Sequence, residues 1–379
     1  MLFFVPKEVD AGEPRTPMLP DTIKQLARKG IELTVEAGIG ESLGLKDAAY
    51  EEAGAQVSAD REGLLGQADV VLRLSKPPAE EVGKLKKGCI HISYLDPFNE
   101  TELVDSLVEH GVSAIAMEMI PRTTLAQKMD ALSSQANLAG YVAVIVAAER
   151  LDCVVPMMMT PAGTLKPMRI FIIGVGVAGL QAIATAKRLG ARVSAFDTRP
   201  VVEEQVESLG AKFVKIDLGE TGQTKDGYAV ELTDEQRQQQ QEAMADTIAQ
   251  SDVVITTAQV FGRKAPRIVT AEMLQRMRPG SVVVDLAAET GGNVEGSKPG
   301  EEVDAGGVRV IGAKNFPGRV PVHASQMYAA NLSNLLGHFW DEEEKTLKLN
   351  LEDEIMDGCL IAHDGQLRSE MLRNAREAK

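Results

Sequence analysis

The sequence predicts an α/β protein made of two Rossmann-like domains with parallel sheets, joined by long helices. Three observations lead there. The chain has 379 residues, short apolar runs alternate with helix-like stretches in two separate series, and a long small-residue run without proline lies between them. Single cores divide beyond roughly 250–300 residues, and strands alternating with helices imply parallel β-α-β layers.

The first series runs from Leu2 to about Ala116, with LFFV, ELTVEA, DVVLRL, CIHISYL and VSAIAM as its strands. Asp21 to Lys29 and Glu100 to His110 read as helices between them. GIGESLG, Gly38 to Gly44, follows a strand but spaces its last glycine wrongly for a nucleotide turn, so it is read as an ordinary turn. DALSSQANLAGYVAVIVAAERL follows Met129, and its Ala-rich apolar composition predicts a long buried helix bridging two domains.

The second series starts at Met168 with RIFII, helix Ala178 to Leu189, RVSAFD, helix Val202 to Ser208, KFVKI, and then VVITT and SVVVDL. Asp217 to about Glu235 is polar, carries Gly219, Gly222 and Gly227, and reads as a long surface loop. Gln238 to Gln241 are expected on the exposed face of the helix that follows. A last helix spans Ser325 to Trp340, and the charged tail from Ser369 is expected to be helical and solvated. The expected division is therefore 1–130 with 326–379 as one domain, 140–325 as the second, and 131–150 as the linking helix.

Hydrophobic residues make up 44% and charged residues 25%, the balance of a packed soluble protein. The net charge of −15 repels a phosphate backbone, and no basic run interleaves with aromatics, which argues against a nucleic acid partner. Cys89, Cys153 and Cys359 lie far apart without metal-ligand spacing, so neither a metal site nor a disulfide framework is indicated, and a reducing cytoplasm fits. The apolar start ends at Pro6, too soon for a signal peptide core. Apart from the linking helix, which stops at Glu149 and Arg150, nothing approaches the about 18 apolar residues of a membrane span.

The strongest motif is RIFIIGVGVAGLQAIATAKRLGARVSAFDTRP. Gly174, Val175, Gly176, Val177, Ala178 and Gly179 form G-x-G-x-x-G directly after a strand and open a helix, the context in which backbone N–H groups receive a pyrophosphate. Asp197 ends the next strand, where a carboxylate accepts hydrogen bonds from adenosine ribose hydroxyls and repels a 2′-phosphate. Thr198, Arg199 and Ala258 complete the cofactor-binding set on this side, with Arg199 as a cation that complicates a preference for NAD(H) over NADP(H). Structurally, Asp197 also suits a cap for the helix near Val202.

EMIPRTTLAQKMDALSSQANLAGY, Glu118 to Tyr141, closely resembles a loop of the NAD(H)-binding component of proton-translocating transhydrogenase. The likeness continues through PMMMTPAGT from Pro156, the glycine turn, EQVESLGAKF from Glu204, DLAAETGGN from Asp285, and Lys7, Glu8 and Arg15 near the start. The resemblance implies a dimer whose Arg122 and Asp130 orient the carboxamide of bound NAD(H), with Ser133 beside them. It further implies that Gln127 reaches towards NADP(H) on a partner component, and that Tyr228 closes over the site on a mobile loop. Taken alone, Tyr228 is an exposed loop tyrosine and Met157 to Met159 are core filler. Direct hydride transfer between two nicotinamides needs no nucleophile or metal, so the implied catalytic residues, Gln127, Asp130 and Arg122, are orienting groups. The chain reaches Lys379 without a spanning segment, so the resemblance implies a separate membrane-spanning subunit that would hold it at the cytoplasmic face of the inner membrane.

Alanine dehydrogenases are the competing resemblance. They share the N-terminal Lys-Glu and need an acid/base histidine and an active-site aspartate. Here Asp96 stands where that family has its histidine and Glu289 where it has its aspartate, and the two-residue period turns His91 to another side. Lys76 and Arg15 persist.

Overall fold

The computed structural model describes residues 1–216 and 232–377. Tyr228 and most of the stretch expected as a surface loop lie outside the described residues. The chain divides into two compact units, residues 1–135 with 320–379 and residues 136–319.

In the first unit the apolar runs become β1 (Phe3–Val5), β2 (Leu33–Glu36), β3 (Gln56–Ser58), β4 (Val70–Leu72), β5 (Ile90–Ser93) and β6 (Ser113–Ala116). Between them lie α1 (Pro20–Ala27), α2 (Asp47–Glu52), α3 (Arg61–Gln67), α4 (Ala79–Val82) and α5 (Thr101–Glu109). Strand β3 escaped the sequence reading because its three residues, Gln-Val-Ser, carry one apolar side chain and no pattern. Pro20 sits at the first helical position of α1, where its missing N–H costs nothing, so this helix begins a residue before Asp21. Helix α6 (Ala131–Arg150) begins in this unit and continues into the second.

The second unit opens with the hairpin β7 (Met158–Thr160) and β8 (Gly163–Leu165). Its sheet strands are β9 (Arg169–Ile173), β10 (Arg192–Phe196), β11 (Lys212–Phe213), β12 (Val253–Thr256), β13 (Val282–Asp285), β14 (Glu302–Asp304) and β15 (Arg309–Gly312). Helices α7 (Val177–Arg188), α8 (Glu203–Ser208), α9 (Asp234–Ala249) and α10 (Ala271–Gln275) connect them. The strand order is β11-β10-β9-β12-β13-β15-β14, parallel except for β14, which is antiparallel to β15. Chain order reverses between β9 and β12, so the C-terminal ends of these strands border the crevice where such sheets receive ligands. Phe171, Val254, Val283 and Val310 on the sheet pack with Met244 and Ile248 of α9 and Met273 of α10.

The chain then returns to the first unit through α11 (Pro321–Phe339), the ribbon β16 (Trp340–Asp341) and β17 (Thr346–Leu347), α12 (Glu354–Cys359), β18 (Leu360–His363), β19 (Gln366–Leu367) and α13 (Glu370–Glu377). This completes a sheet of order β19-β18-β6-β5-β4-β1-β2-β3, parallel from β6 to β3. Strand β18 is antiparallel to both β6 and β19. Helix α11 starts at Pro321, earlier than Ser325, because proline again serves the first turn.

Several expectations are corrected. Met157, Met158 and Met159 are 58%, 45% and 73% exposed, so they are surface and not core filler; apolarity alone does not tell a core strand from an exposed hairpin. The linking helix is only partly buried: Tyr141 and Ile145, one turn apart, are exposed. By length and composition it is also apolar enough to cross a membrane. Gln240 is 5% exposed, because α9 turns one of its four consecutive glutamines inward. The loop before α9 ends at Thr233, whose hydroxyl and the Gln236 amide form a reciprocal capping box, so Asp234 and Glu235 are already helical. Leu372 buries one side of α13 and Arg376 pairs with Asp105 at 2.6 Å, so the tail packs on its unit.

Candidate functional site

The glycine turn sits at the C-terminal end of β9. Gly174 has φ +93°, and a Cβ there would stand 2.7 Å from Thr257 Oγ1, which itself donates to Gly174 O at 2.9 Å. A Cβ on Gly179 would meet Gly174 O at 2.0 Å, so this glycine lets α7 close against the turn. At Gly176 a Cβ would meet nothing within 4 Å. Gly176 is also the N-cap of α7 and supplies no side-chain cap, which leaves the first-turn N–H groups of Val177 and Ala178 without one. Together these features suit a pyrophosphate: positive partial charge, free donors and open space for backbone approach. Helix α6 approaches the same helix closely, since a Cβ on Gly140 would stand 2.1 Å from Ala178 O.

Asp197 lies at the end of β10 with a side chain 6% exposed. It does not cap the following helix. Its Oδ2 accepts from Val175 N at 2.7 Å and its Oδ1 from Arg199 N at 2.9 Å, and the Arg199 guanidinium grips both oxygens. Thr198 between them is half-buried.

Beyond β12, Ala258 is clamped by a residue that pattern reading passed over. Asn293 is fully buried; its Oδ1 accepts from Ala258 N at 3.0 Å, and its Nδ2 donates to Ala258 O and Pro266 O, both at 2.8 Å. Buried Asp285 holds the turn from below through Thr256 Oγ1, Ala287 N and Val294 N. Both belong to DLAAETGGN, and an amide and a carboxylate at the ends of an apolar-to-glycine segment were the available signal. Glu289 in the same segment is exposed, with Oε2 accepting from Asn315 N at 3.2 Å.

In the first unit, the segment from Arg122 to Asp130 is anchored by buried Ala126 and Met129. Gln127 is exposed between them and makes no hydrogen bond among the described residues. Asp130 receives Ser133 N at 2.8 Å and Ser133 Oγ at 2.6 Å, so its carboxylate caps the start of α6. Arg122 Nε stands 3.9 Å from Asp130 Oδ2. From α11, Asn331 accepts from Ser134 Oγ at 2.7 Å and donates to Lys128 O at 2.9 Å, which pins the end of the segment.

The groups that an amino-acid dehydrogenase would need are otherwise engaged. Arg15 lies against Glu13, with Nε to Oε1 at 2.6 Å and Nη2 to Oε2 at 2.5 Å, and gives Nη1 to Gln135 Oε1 at 2.9 Å. Lys76 pairs with Glu100. Asp96 is exposed with φ +50°. His91 is buried beside Ser93 Oγ at 3.0 Å, and burial pushes its imidazole down to about 3, leaving it neutral and inaccessible.

Glu118 was not singled out from sequence. Its Oε1 accepts from Leu95 N at 2.8 Å and Asp96 N at 2.6 Å, while Oε2 is buried without a partner. Desolvation pushes its carboxyl up to about 7, against the backbone donors and with help from Asp96. A carboxyl raised above its unfolded value stabilises the fold fully below about pH 4.5, and that contribution is lost as pH rises through about 7. Glu118→Gln keeps the acceptor and removes the ionisation. Urea melts between pH 5 and 8 should show the variant gaining on the parent as pH rises, by on the order of 1–2 kcal/mol at pH 8; a gap that is constant with pH would contradict this.

Two α/β units, with a glycine turn at the strand-order reversal of the second, define a Rossmann-type protein of the nicotinamide-nucleotide oxidoreductase class. The alanine dehydrogenase/PNT C-terminal domain matches residues 143–370 and the alanine dehydrogenase/PNT N-terminal domain matches residues 4–139. The chain belongs to this family. It is 44% identical over 374 residues, 97% of both chains, to the first of the chains that make up NAD(P) transhydrogenase subunit alpha in Rhodospirillum rubrum. Among solved structures it resembles transhydrogenase from Sinorhizobium meliloti, with TM-score 0.84, 42% identity, and coverage of 98% of this chain and 100% of that one. L-alanine dehydrogenase is also similar, with TM-score 0.82, 25% identity, and coverage of 100% and 99%.

Proposed function

We propose that this chain is the NAD(H)-binding component of a proton-translocating transhydrogenase, active with a partner that holds NADP(H) and a membrane-spanning subunit that couples transfer to protons. The observation that carries the reading is the open space at Gly176 beneath the uncapped start of α7. The 44% identity to a transhydrogenase subunit supports the choice within the family. Bound NAD(H) supplies the hydride donor or acceptor. The chain's own residues hold and orient: the turn Gly174 to Gly179 takes the pyrophosphate, Asp197 with Thr198 and Arg199 reads the adenosine ribose, and Ala258 with Glu289 lines the crevice. By resemblance, Arg122, Gln127, Asp130 and Ser133 act at the nicotinamide end, and Tyr228 belongs to the covering loop.

No group on these elements is required to move a proton, which agrees with hydride passing directly between nicotinamides. The exposed Met157, Met158 and Met159, with Leu165, offer an apolar face that a second copy would cover in a homodimer. Through its partners the chain would work at the cytoplasmic face of the inner membrane.

Equilibrium dialysis should show NADH bound more tightly than NADPH, and mixing with a transhydrogenase NADP(H)-binding component should give hydride exchange between nucleotides. Equal affinities would remove the assignment of Asp197, and absent exchange would remove the transhydrogenase reading. Alanine dehydrogenase is kept as a second reading by its fold likeness. With Arg15 and Lys76 paired internally and His91 buried, pure protein should yield no sustained alanine-dependent NADH; steady NADH production would favour that enzyme.

A further inference from the structure

The Asp197 carboxylate, assigned above to the adenosine ribose, already has a full set of donors. An ionised carboxylate offers about four acceptor positions. Here Oδ1 accepts from Arg199 N at 2.9 Å and Arg199 Nε at 2.9 Å, while Oδ2 accepts from Val175 N at 2.7 Å and Arg199 Nη2 at 2.8 Å. The guanidinium also gives Nη2 to Val175 O at 3.1 Å, so it lies across the edge of the glycine turn. Both side chains are mostly buried, 13% exposed for Arg199 and 6% for Asp197. A ribose hydroxyl that donates to Asp197 must first take a position that Arg199 holds.

We infer that Arg199 is a specificity-determining residue: an internal competitor of the ribose hydroxyls that narrows the preference for NAD(H) over NADP(H). Two physical effects act together. The Arg199 side chain must leave Asp197 before the 2′- and 3′-hydroxyls can be read, and this exchange of a charge-assisted bidentate contact weakens NADH binding. The same cation neutralises the charge that would repel a 2′-phosphate. Once displaced, its planar fork matches a phosphate bidentately, so NADPH loses less than an unpaired carboxylate would impose. A carboxylate at the end of the second strand predicts strong discrimination; the paired arrangement lowers it.

The inference rests on the dinucleotide reading, and the test separates the two. NADH and NADPH are titrated against the intact chain and against Arg199→Leu, which keeps apolar bulk and removes the cation. In the variant the NADH dissociation constant should fall and that for NADPH should rise, increasing their ratio by about tenfold or more, as loss of a charge-assisted contact would give. If the parent binds NADH and the ratio stays unchanged or falls in the variant, Arg199 does not set specificity and only this inference fails. If the parent binds neither nucleotide, the dinucleotide reading fails and takes the inference with it. Should Arg199→Leu not fold by circular dichroism, Arg199→Lys serves in its place. A single ammonium cannot grip both oxygens, so its ratio should also exceed the parent's, and a parental ratio would overturn the proposal.

Discussion

Shortening one side chain in Gln127→Asn is expected to slow hydride transfer by on the order of 10²-fold while NADH affinity stays within about twofold of the parent. Gln127 is exposed and makes no hydrogen bond among the described residues, so the substitution removes no internal contact. Buried Ala126 and Met129 fix the backbone on either side, and Asn331 holds Lys128 O at 2.9 Å. The amide therefore projects from an anchored segment, and losing one methylene withdraws its reach without loosening its base. A neutral amide both donates and accepts, which suits a bridge between two nucleotides and excludes an acid/base role. An interaction made mainly at the moment of transfer lowers the rate and spares ground-state binding. Stopped-flow transfer with the NADP(H)-binding partner, beside NADH titration of each form, decides. An unchanged rate removes Gln127 from the site, and a matching loss of affinity makes it an ordinary binding residue.

The sequence disclosed most where one physical requirement fixes one residue type. The glycine turn was legible because only glycine tolerates φ +93° at position 174 and the contact at position 179. The parallel strands were legible because both faces of the sheets are covered, which turns VVIT and VVVD into continuous apolar runs. Strands β3, β14, β18 and β19 were missed. They lie at or near sheet edges, where half-exposed residues leave no run to recognise. The exposed methionines were misread for the opposite reason, since apolar residues on a projecting hairpin look like core in one dimension.

Within the candidate site, residues that meet a ligand were easier to name than those that hold them. Asp197 follows from its place after the second strand, whereas its engagement by Arg199 depends on a rotamer that no spacing reveals. Asn293 and Asn331 act through contacts 35 and 203 residues distant in sequence, to Ala258 and Lys128. Glu118 opens the segment that runs to Tyr141, but its raised carboxyl arises from burial that only tertiary structure creates.

Two neighbouring glycines should separate folding from binding. At Gly176, with φ −83° and ψ −164°, the backbone is one that alanine adopts readily, and a Cβ meets nothing within 4 Å. Gly176→Ala should therefore fold with a stability within about 0.5 kcal/mol of the parent, like other substitutions that create no clash. Its methyl would nevertheless occupy the space through which the turn is proposed to approach a pyrophosphate, so NADH affinity should fall by on the order of 10²-fold. At Gly179 the obstacle is internal, because a Cβ would stand 2.0 Å from the backbone oxygen of Gly174 and no flexible side chain can yield. Gly179→Ala should force β9 and α7 apart, costing about 1–3 kcal/mol of stability as overpacking does, and lose NADH binding as well. Urea melts and NADH titrations of both variants make the comparison. Undiminished NADH affinity in a well-folded Gly176→Ala would show that the nucleotide does not approach this turn, whatever the outcome at Gly179.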